Sequence, residues 1–353
     1  MEKELLQSFS LEELKQALVE QGFPKYRAEQ IFKWLNKNTP FENMSDLPKS
    51  LISFLQEKYI DRAINIEKQF KSVDGSIKFL YKLYDGNIIE GIYMPHNYGD
   101  TICISTQVGC RMGCAFCASG IGGLVRNLEA GEILGQIIAV NATLPENRKI
   151  TNVVLMGSGE PLDNYDNVTK FIRLLNAKEG LNISQRNVSL STCGLCEKII
   201  QLADEGYGIT LSLSLHATTD ENRQNLMPIA KKYTLAQTID AVKYYFQKTG
   251  RRVIFEYSMV KGENIDFFDA KRLREITKGY PSHVNLIMLN PVKEKNVKGC
   301  TKEEAQRFLQ RLTDMGVSAT IRRSSGTDVG GACGQLRRSF INNKDTKQQT
   351  KND

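Results

Sequence analysis

The chain has 353 residues, 41% of them hydrophobic and 25% charged, which suits one large α/β domain plus an appendage. Its apolar runs are too short for a transmembrane helix. The amphipathic, acidic start MEKELLQSFSLEELK has the marks of neither a signal nor a transit peptide. Secreted, collagenous and wholly disordered classes are therefore excluded, and a cytoplasmic enzyme is expected. With 47 Lys and Arg against 40 Asp and Glu the formal charge is +7, a balance that mildly favours a polyanionic partner but also fits a basic cytosolic protein that has none.

In chain order, the first stretch reads as helices. Ser10-Leu-Glu-Glu13 is a capping-box pattern opening LEELKQALVEQG, Gly22 and Pro24 break the run, and YRAEQIFKWLNK and LPKSLISFLQEKY follow with helical periodicity. A small helical domain at 1–65 results. SIKFLYKLY and NIIEGIYMP flank Asp85-Gly86, a hairpin signal, giving a short β-insert at 66–100. From 101 strands alternate with helices. TICIST, 152–157, 187–192, 209–216, 252–260 and 283–290 are strands, and EAGEILGQIIAVNA, NVTKFIRLLNA, TLAQTIDAVKYYFQKT and EEAQRFLQRLTDMG are among the helices. Six βα units in about 200 residues predict an α/β fold, a partial (βα)6 barrel or an open parallel sheet. A last strand at 318–323 closes the core at 101–325. The segment 326–353 holds a Gly-rich cysteine loop and a polar tail predicted to be disordered.

Eight cysteines in a reducing compartment point to metal ligation or catalysis before structural disulfides. Cys110-Arg-Met-Gly-Cys114-Ala-Phe-Cys117 carries C-x3-C-x2-C spacing directly after the first barrel strand. Three thiolates on one loop suit three irons of a [4Fe-4S] cube and leave the fourth iron open to a substrate. A zinc site wants a fourth Cys or His at knuckle spacing, and His96, His216 and His283 are all distant in sequence. Cys193 and Cys196 form a C-x2-C pair without a partner pair and, like Cys300, read as free thiols.

This spacing, with Phe116 before the third cysteine, resembles the radical S-adenosylmethionine (SAM) superfamily. VLMGSGEPLDN (154–164) is similar to that family's GEP segment for the SAM amine, and STCG (191–194), SLHA (214–217) and LNP (289–291) to further SAM-contacting segments. RRSSGTDVGGACGQLRR (322–338) and Glu90-Gly-Ile-Tyr-Met-Pro95 resemble, more specifically, the adenine-C2 RNA methyltransferases of the RlmN type. This chain departs from many of them in reading GSGEP for GMGEP and STCG for STSG.

The resemblance implies a radical-SAM barrel that uses SAM twice per turnover. Cys110, Cys114 and Cys117 would hold one [4Fe-4S] cluster, and Gly159, Glu160, Ser191, Ser214, Leu215, His216 and Asn290 would contact SAM. Cys333 would carry the methyl as S-methylcysteine. Cys103 would release the product by a transient disulfide with Cys333, and Glu90 would accept the ring proton. The implied partners are 23S rRNA, tRNA and an electron donor such as flavodoxin; a monomer is expected, with no membrane association. The C8-directed Cfr-type relatives share the cluster and both cysteines and stand as the alternative. Arg322, Arg323, Arg337 and Arg338 flank Cys333, where such charges lower a thiol pKa and hold phosphates, and GGACG reads as a loop free to swing.

Overall fold

The computed structural model describes residues 3–336. Arg337, Arg338 and the polar tail lie outside them.

Near the N-terminus a short parallel pair, β1 (Glu4–Leu5) and β2 (Tyr59–Ile60), brackets α1 (Leu11–Glu20), α2 (Arg27–Leu35) and α3 (Lys49–Lys58). The capping box at the start of α1 forms: Ser10 Oγ accepts from the Glu13 amide at 3.2 Å, and Glu13 Oε2 accepts from the Ser10 amide at 2.7 Å. Leu14 and Leu18 of α1, Ile31, Phe32 and Leu35 of α2 and Leu51 and Leu55 of α3 pack into a core of their own. Polar links join this unit to the rest. Gln7 Oε1 accepts from the Ala63 amide at 2.8 Å, and Ser8 Oγ accepts from the Gly131 amide at 3.0 Å.

The hairpin expected around Asp85-Gly86 forms, and it is continuous with the barrel. β3 (Ile64–Lys71), β4 (Ile77–Leu83) and β5 (Ile88–Met94) run antiparallel to one another, and β5 pairs antiparallel with β6 (Asp100–Cys103). A two-stranded ribbon, β7 (Gln107–Gly109) with β8 (Leu124–Asn127), leads into α4 (Ala130–Asn141). After it come β9 (Ile150–Leu155), α5 (Tyr165–Asn176), β10 (Val188–Thr192), α6 (Cys196–Asp204), β11 (Thr210–Ser214), α7 (Asp220–Leu226), α8 (Leu235–Thr249), β12 (Val253–Met259), α9 (Phe267–Thr277), β13 (Ser282–Met288), α10 (Lys302–Asp314) and β14 (Ala319–Ile321). Strands β6 and β9–β14 are parallel and joined by the six helical crossovers expected from the sequence. With β3–β5 they make one ten-stranded sheet whose spatial order repeats chain order.

Strand alternation sorts the residues. Leu211 and Leu213 of β11, with Leu215 just beyond it, belong to the main core, as do Phe255, Tyr257 and Met259 of β12. Their alternate neighbours, Ser214, His216, Glu256 and Ser258, line the barrel interior instead. The apolar face holds the helices on the sheet, and the polar face is left for chemistry. No helix among the described residues is long and apolar enough to cross a membrane.

Candidate active site

Two adjoining cavities occupy the barrel. The smaller, about 150 Å³, is lined by Cys110, Cys114 and Cys117 together with Gly159, Glu160, Ser191, Ser214, His216 and Asn290. The larger, about 460 Å³, reaches Cys103 at one end and His96 and Tyr98 at the other. Cys333, Arg322, Met156 and Ile287 line both, so Cys333 sits on the partition.

The ribbon and two remote segments hold the three-cysteine loop. Cys110 N donates to the Gly123 carbonyl at 3.1 Å, Ala115 N to Leu226 at 2.9 Å and Ala118 N to Gly334 at 2.8 Å. Burial pushes the Cys110 thiol up to about 12 and raises that of Cys114, and the neighbouring thiols add to both shifts. Metal must therefore displace protons to bind there. Among the described residues no three Cys, His, Asp or Glu side chains converge tightly enough for a single metal ion. Three thiols lining one cavity suit a cube, in which each ligates its own iron.

The Glu160 carboxylate is buried, with Oε2 accepting from the Cys193 amide at 2.8 Å and Oε1 from the Leu162 amide at 3.1 Å. Burial outweighs these bonds and raises its pKa. Ser191 and Ser214 share a hydroxyl contact of 3.3 Å. His216 adopts left-handed backbone, φ 56°, and its ring packs edge-on to Phe116 with centroids 4.7 Å apart. Its Nδ1 accepts from the Ser258 amide at 3.0 Å, placing the ring proton on Nε2. Burial, aided by Arg223, pushes its pKa down to about 3, so the ring is neutral. Leu215 is the exception among the residues expected to contact SAM. Its side chain belongs to the core, and its amide donates to the Glu256 carbonyl at 3.0 Å.

Cys103 is buried at the end of β6, beside Ile92 and Leu336. Burial pushes its thiol up to about 12, and the nearby Cys333 adds to this while Arg322 opposes it. The Arg322 guanidinium, its pKa raised chiefly by Cys333, contacts Glu256 Oε2 at 3.4 Å, and Asn285 Nδ2 donates to Glu256 Oε1 at 3.0 Å. All eight cysteines are free thiols.

The Cys333 loop does not swing freely. Gly326 N donates to Asp74 Oδ2 at 3.0 Å, Ser72 Oγ to Asp328 Oδ1 at 2.5 Å, and Lys78 Nζ to the Gly330 carbonyl at 3.2 Å. On the far side Asn290 Nδ2 donates to the Cys333 carbonyl at 3.3 Å, and Ser119 Oγ to that of Leu336 at 2.7 Å. The glycines serve close approach: a Cβ on Gly326 or Gly331 would come within 2.5 Å or 2.7 Å of Ile92 Cδ1. Glu90 is fully buried behind this loop, 3.0 Å from Lys78 Nζ, and lines neither cavity.

Sequence reasoning missed Arg223. It is fully buried on α7 and donates from Nη2 to the Cys193 carbonyl at 2.7 Å and to Ser214 at 3.5 Å, while Nε and Nη1 have no hydrogen-bond partner among the described residues. No spacing or motif marks it in the sequence. Cys193, expected to be a plain free thiol, lines the smaller cavity.

Residues 104–273 match the Radical SAM superfamily, and residues 5–60 the ribosomal RNA large subunit methyltransferase N-terminal domain. The chain is 52% identical over 342 residues to the probable dual-specificity RNA methyltransferase RlmN of Clostridium perfringens, covering 96% of this chain and 98% of that one. To the protein of the same description from Clostridium botulinum it is 49% identical over 341 residues, with the same coverage. The crystal structure of a radical SAM methyltransferase from Sphaerobacter thermophilus superposes with a TM-score of 0.91 at 38% identity, over 94% of this chain and 99% of that one.

Proposed function

Since the chain belongs to the RlmN family of radical SAM RNA methyltransferases, we propose that it methylates C2 of an adenine in 23S rRNA and of one in tRNA, with Cys333 carrying the methyl. What supports this reading is the place of Cys333 on the partition between two cavities, one bearing the three cluster cysteines and the other Cys103. A carrier that must collect a methyl on one side and deliver it on the other belongs at such a boundary.

Adenine C2 lies between two ring nitrogens and is electron-poor, so it does not attack a sulfonium methyl as a nucleophile. Cys110, Cys114 and Cys117 would hold a [4Fe-4S] cluster, which when bound supplies the electron that cleaves SAM to a 5′-deoxyadenosyl radical. Glu160, Ser191, Ser214, the neutral His216 and Asn290 would bind and orient SAM. Cys333, which shares the partition with Arg322, takes a methyl from one SAM as its thiol proton leaves. That S-methyl group loses a hydrogen atom to the radical made from a second SAM, its carbon joins adenine C2, and the adduct gives up one electron, for which the bound cluster, oxidised by the cleavage, would be the acceptor. Glu90, 3.0 Å from Lys78 Nζ, is the acceptor for the ring proton. That transfer requires the Cys333 loop to give up its contacts with Ser72, Asp74 and Lys78, because Glu90 lines neither cavity while they hold. The Cys103 thiolate then attacks Cys333 Sγ: the S–S bond forms, the C–S bond breaks, and the electron pair stays with the carbon, which takes a proton to become the methyl.

Anaerobic reconstitution with SAM and fragments of 23S rRNA and tRNA, followed by mass analysis of the nucleosides, tests the reading. 2-Methyladenosine in both RNAs is expected. 8-Methyladenosine would overturn the C2 assignment in favour of the Cfr-type reaction.

A further inference from the structure

The larger cavity has two ends of different character. One is the partition with Cys103 and Cys333. The other opens where the parallel strands begin, between Thr101 of β6, Asn152 of β9 and Ser189 of β10. The loop joining β5 to β6 crosses this opening and places His96 and Tyr98 in its wall. Their rings stack, with centroids 4.7 Å apart and planes 9° from parallel. Tyr98 is nonetheless 78% exposed. With one face on the imidazole, the exposure belongs to the other face and the edges.

An aromatic ring left bare at a cavity mouth forgoes the burial that normally places tyrosine. Here the chain holds it in position. Gly99 N donates to the His96 carbonyl at 3.3 Å, closing a turn around Tyr98. Gly99 has φ 126°, and a Cβ there would lie 2.3 Å from Thr151 Oγ1, so the loop is seated against β9. Asp100 is then fixed by Arg148 and by the Tyr93 hydroxyl, which donates at 2.8 Å. The ring pair is pre-organised rather than collapsed onto the surface.

We propose that the His96–Tyr98 pair is a stacking platform for a base of the RNA that flanks the target adenine, engaged as the adenine enters from the end of the barrel opposite the cluster cysteines. This rests on RNA methylation at Cys333. An adenine reaching that far must leave its stack, and its neighbour loses a stacking partner, which an aromatic face replaces whatever the base. Arg186 and Arg323, in the wall of the same cavity, supply charge for the adjoining phosphates.

The test uses reconstituted holoenzyme and a fluorescent RNA hairpin carrying the target adenine, with 2-aminopurine at the flanking position. Tyr98→Ala should weaken hairpin binding about tenfold and relieve the 2-aminopurine quenching seen with the wild type. Tyr98→Phe and Tyr98→Trp should retain both, and iron content and SAM affinity should not change. Binding by Tyr98→Ala within twofold of wild type, or equal losses in all three variants, would overturn the platform. Wild-type enzyme that neither binds nor methylates any RNA would instead overturn the functional reading beneath it.

Discussion

Across 252 residues of chain, Asp74 accepts a hydrogen bond from the Gly326 amide at 3.0 Å. The turn between β3 and β4 thus clasps the loop that carries Cys333. Partial burial pushes the Asp74 carboxyl up, and the amides of Ser76 and Gly326 outweigh it, taking the pKa from 3.8 to about 2. The folded-state value lies below the unfolded one. The contribution is therefore present above pH 3.8 and lost as pH falls toward 2. Because Asp74 is exposed, solvent screening limits it to about 1 kcal/mol. Denaturation of Asp74→Ala beside wild type, both as apoprotein, should show that gap at pH 7 and its closure between pH 4 and pH 2. Methylation by Asp74→Ala should fall, with iron content unchanged.

Cys103 and Cys333 must fail differently if one carries the methyl and the other releases the product. Cys333→Ala should yield neither methylated RNA nor a protein–RNA crosslink. Cys103→Ala still loads Cys333 and still joins it to adenine, and the resulting thioether resists hydrolysis. It should accumulate covalently on cellular RNA in denaturing gels. RNA-free Cys103→Ala with normal turnover would rule out the release step.

The Glu160 carboxylate is fastened by two backbone amides, at 2.8 Å and 3.1 Å, in the wall of the smaller cavity. So fastened it suits the ammonium of SAM, whose charge offsets the burial of the carboxylate, and a charge-assisted hydrogen bond is worth about 1.5–3 kcal/mol. Equilibrium binding of SAM to cluster-loaded Glu160→Ala should be weaker by about 10- to 100-fold. Unchanged affinity would make the segment a structural turn only.

Burial lowers the pKa of the Arg223 guanidinium, and the thiols of Cys193, Cys196 and Cys114 work against that shift. A cube on three thiolates brings net negative charge to a site that already holds this cation. Arg223→Met should make the cluster potential more negative, on the order of 100 mV, the Coulomb energy of a unit charge at about 7 Å with an effective dielectric constant near 20. Redox titration followed by spin resonance measures it; an unshifted potential would mean that Arg223 serves packing alone.

Much of this was legible in the sequence for a local reason. The cysteine triad, the GEP loop and the strand ends are short segments whose spacing survives without knowledge of tertiary structure. Ser214, Leu215 and His216 were expected together from the SLHA resemblance, whereas period-2 alternation applied strictly turns Leu215 toward the helices. The Asp74 and Asp328 clasps were not legible, because they join positions some 250 residues apart and an Asp-Gly turn reads the same with or without a loop upon it. The glycines around Cys333 suggested freedom, whereas two of them are required by the proximity of Ile92. Arg223 looked like any helical arginine, and its burial is set by what folds around α7.

A sheet whose spatial order repeats its chain order can be assembled in the order of synthesis. Each new strand finds the previous one already waiting as an edge, and domains form from the N-terminus as the chain emerges. The exception is the segment after β14, which must travel back to the turn between β3 and β4. Cys333 therefore reaches the partition last, after the cysteine triad and Cys103 are in place. On the proposed mechanism a chain stalled before that segment would keep the cysteine triad but lack the methyl carrier, and it would also lack the Gly334 and Leu336 carbonyls that brace Ala118 and Ser119 beside the triad.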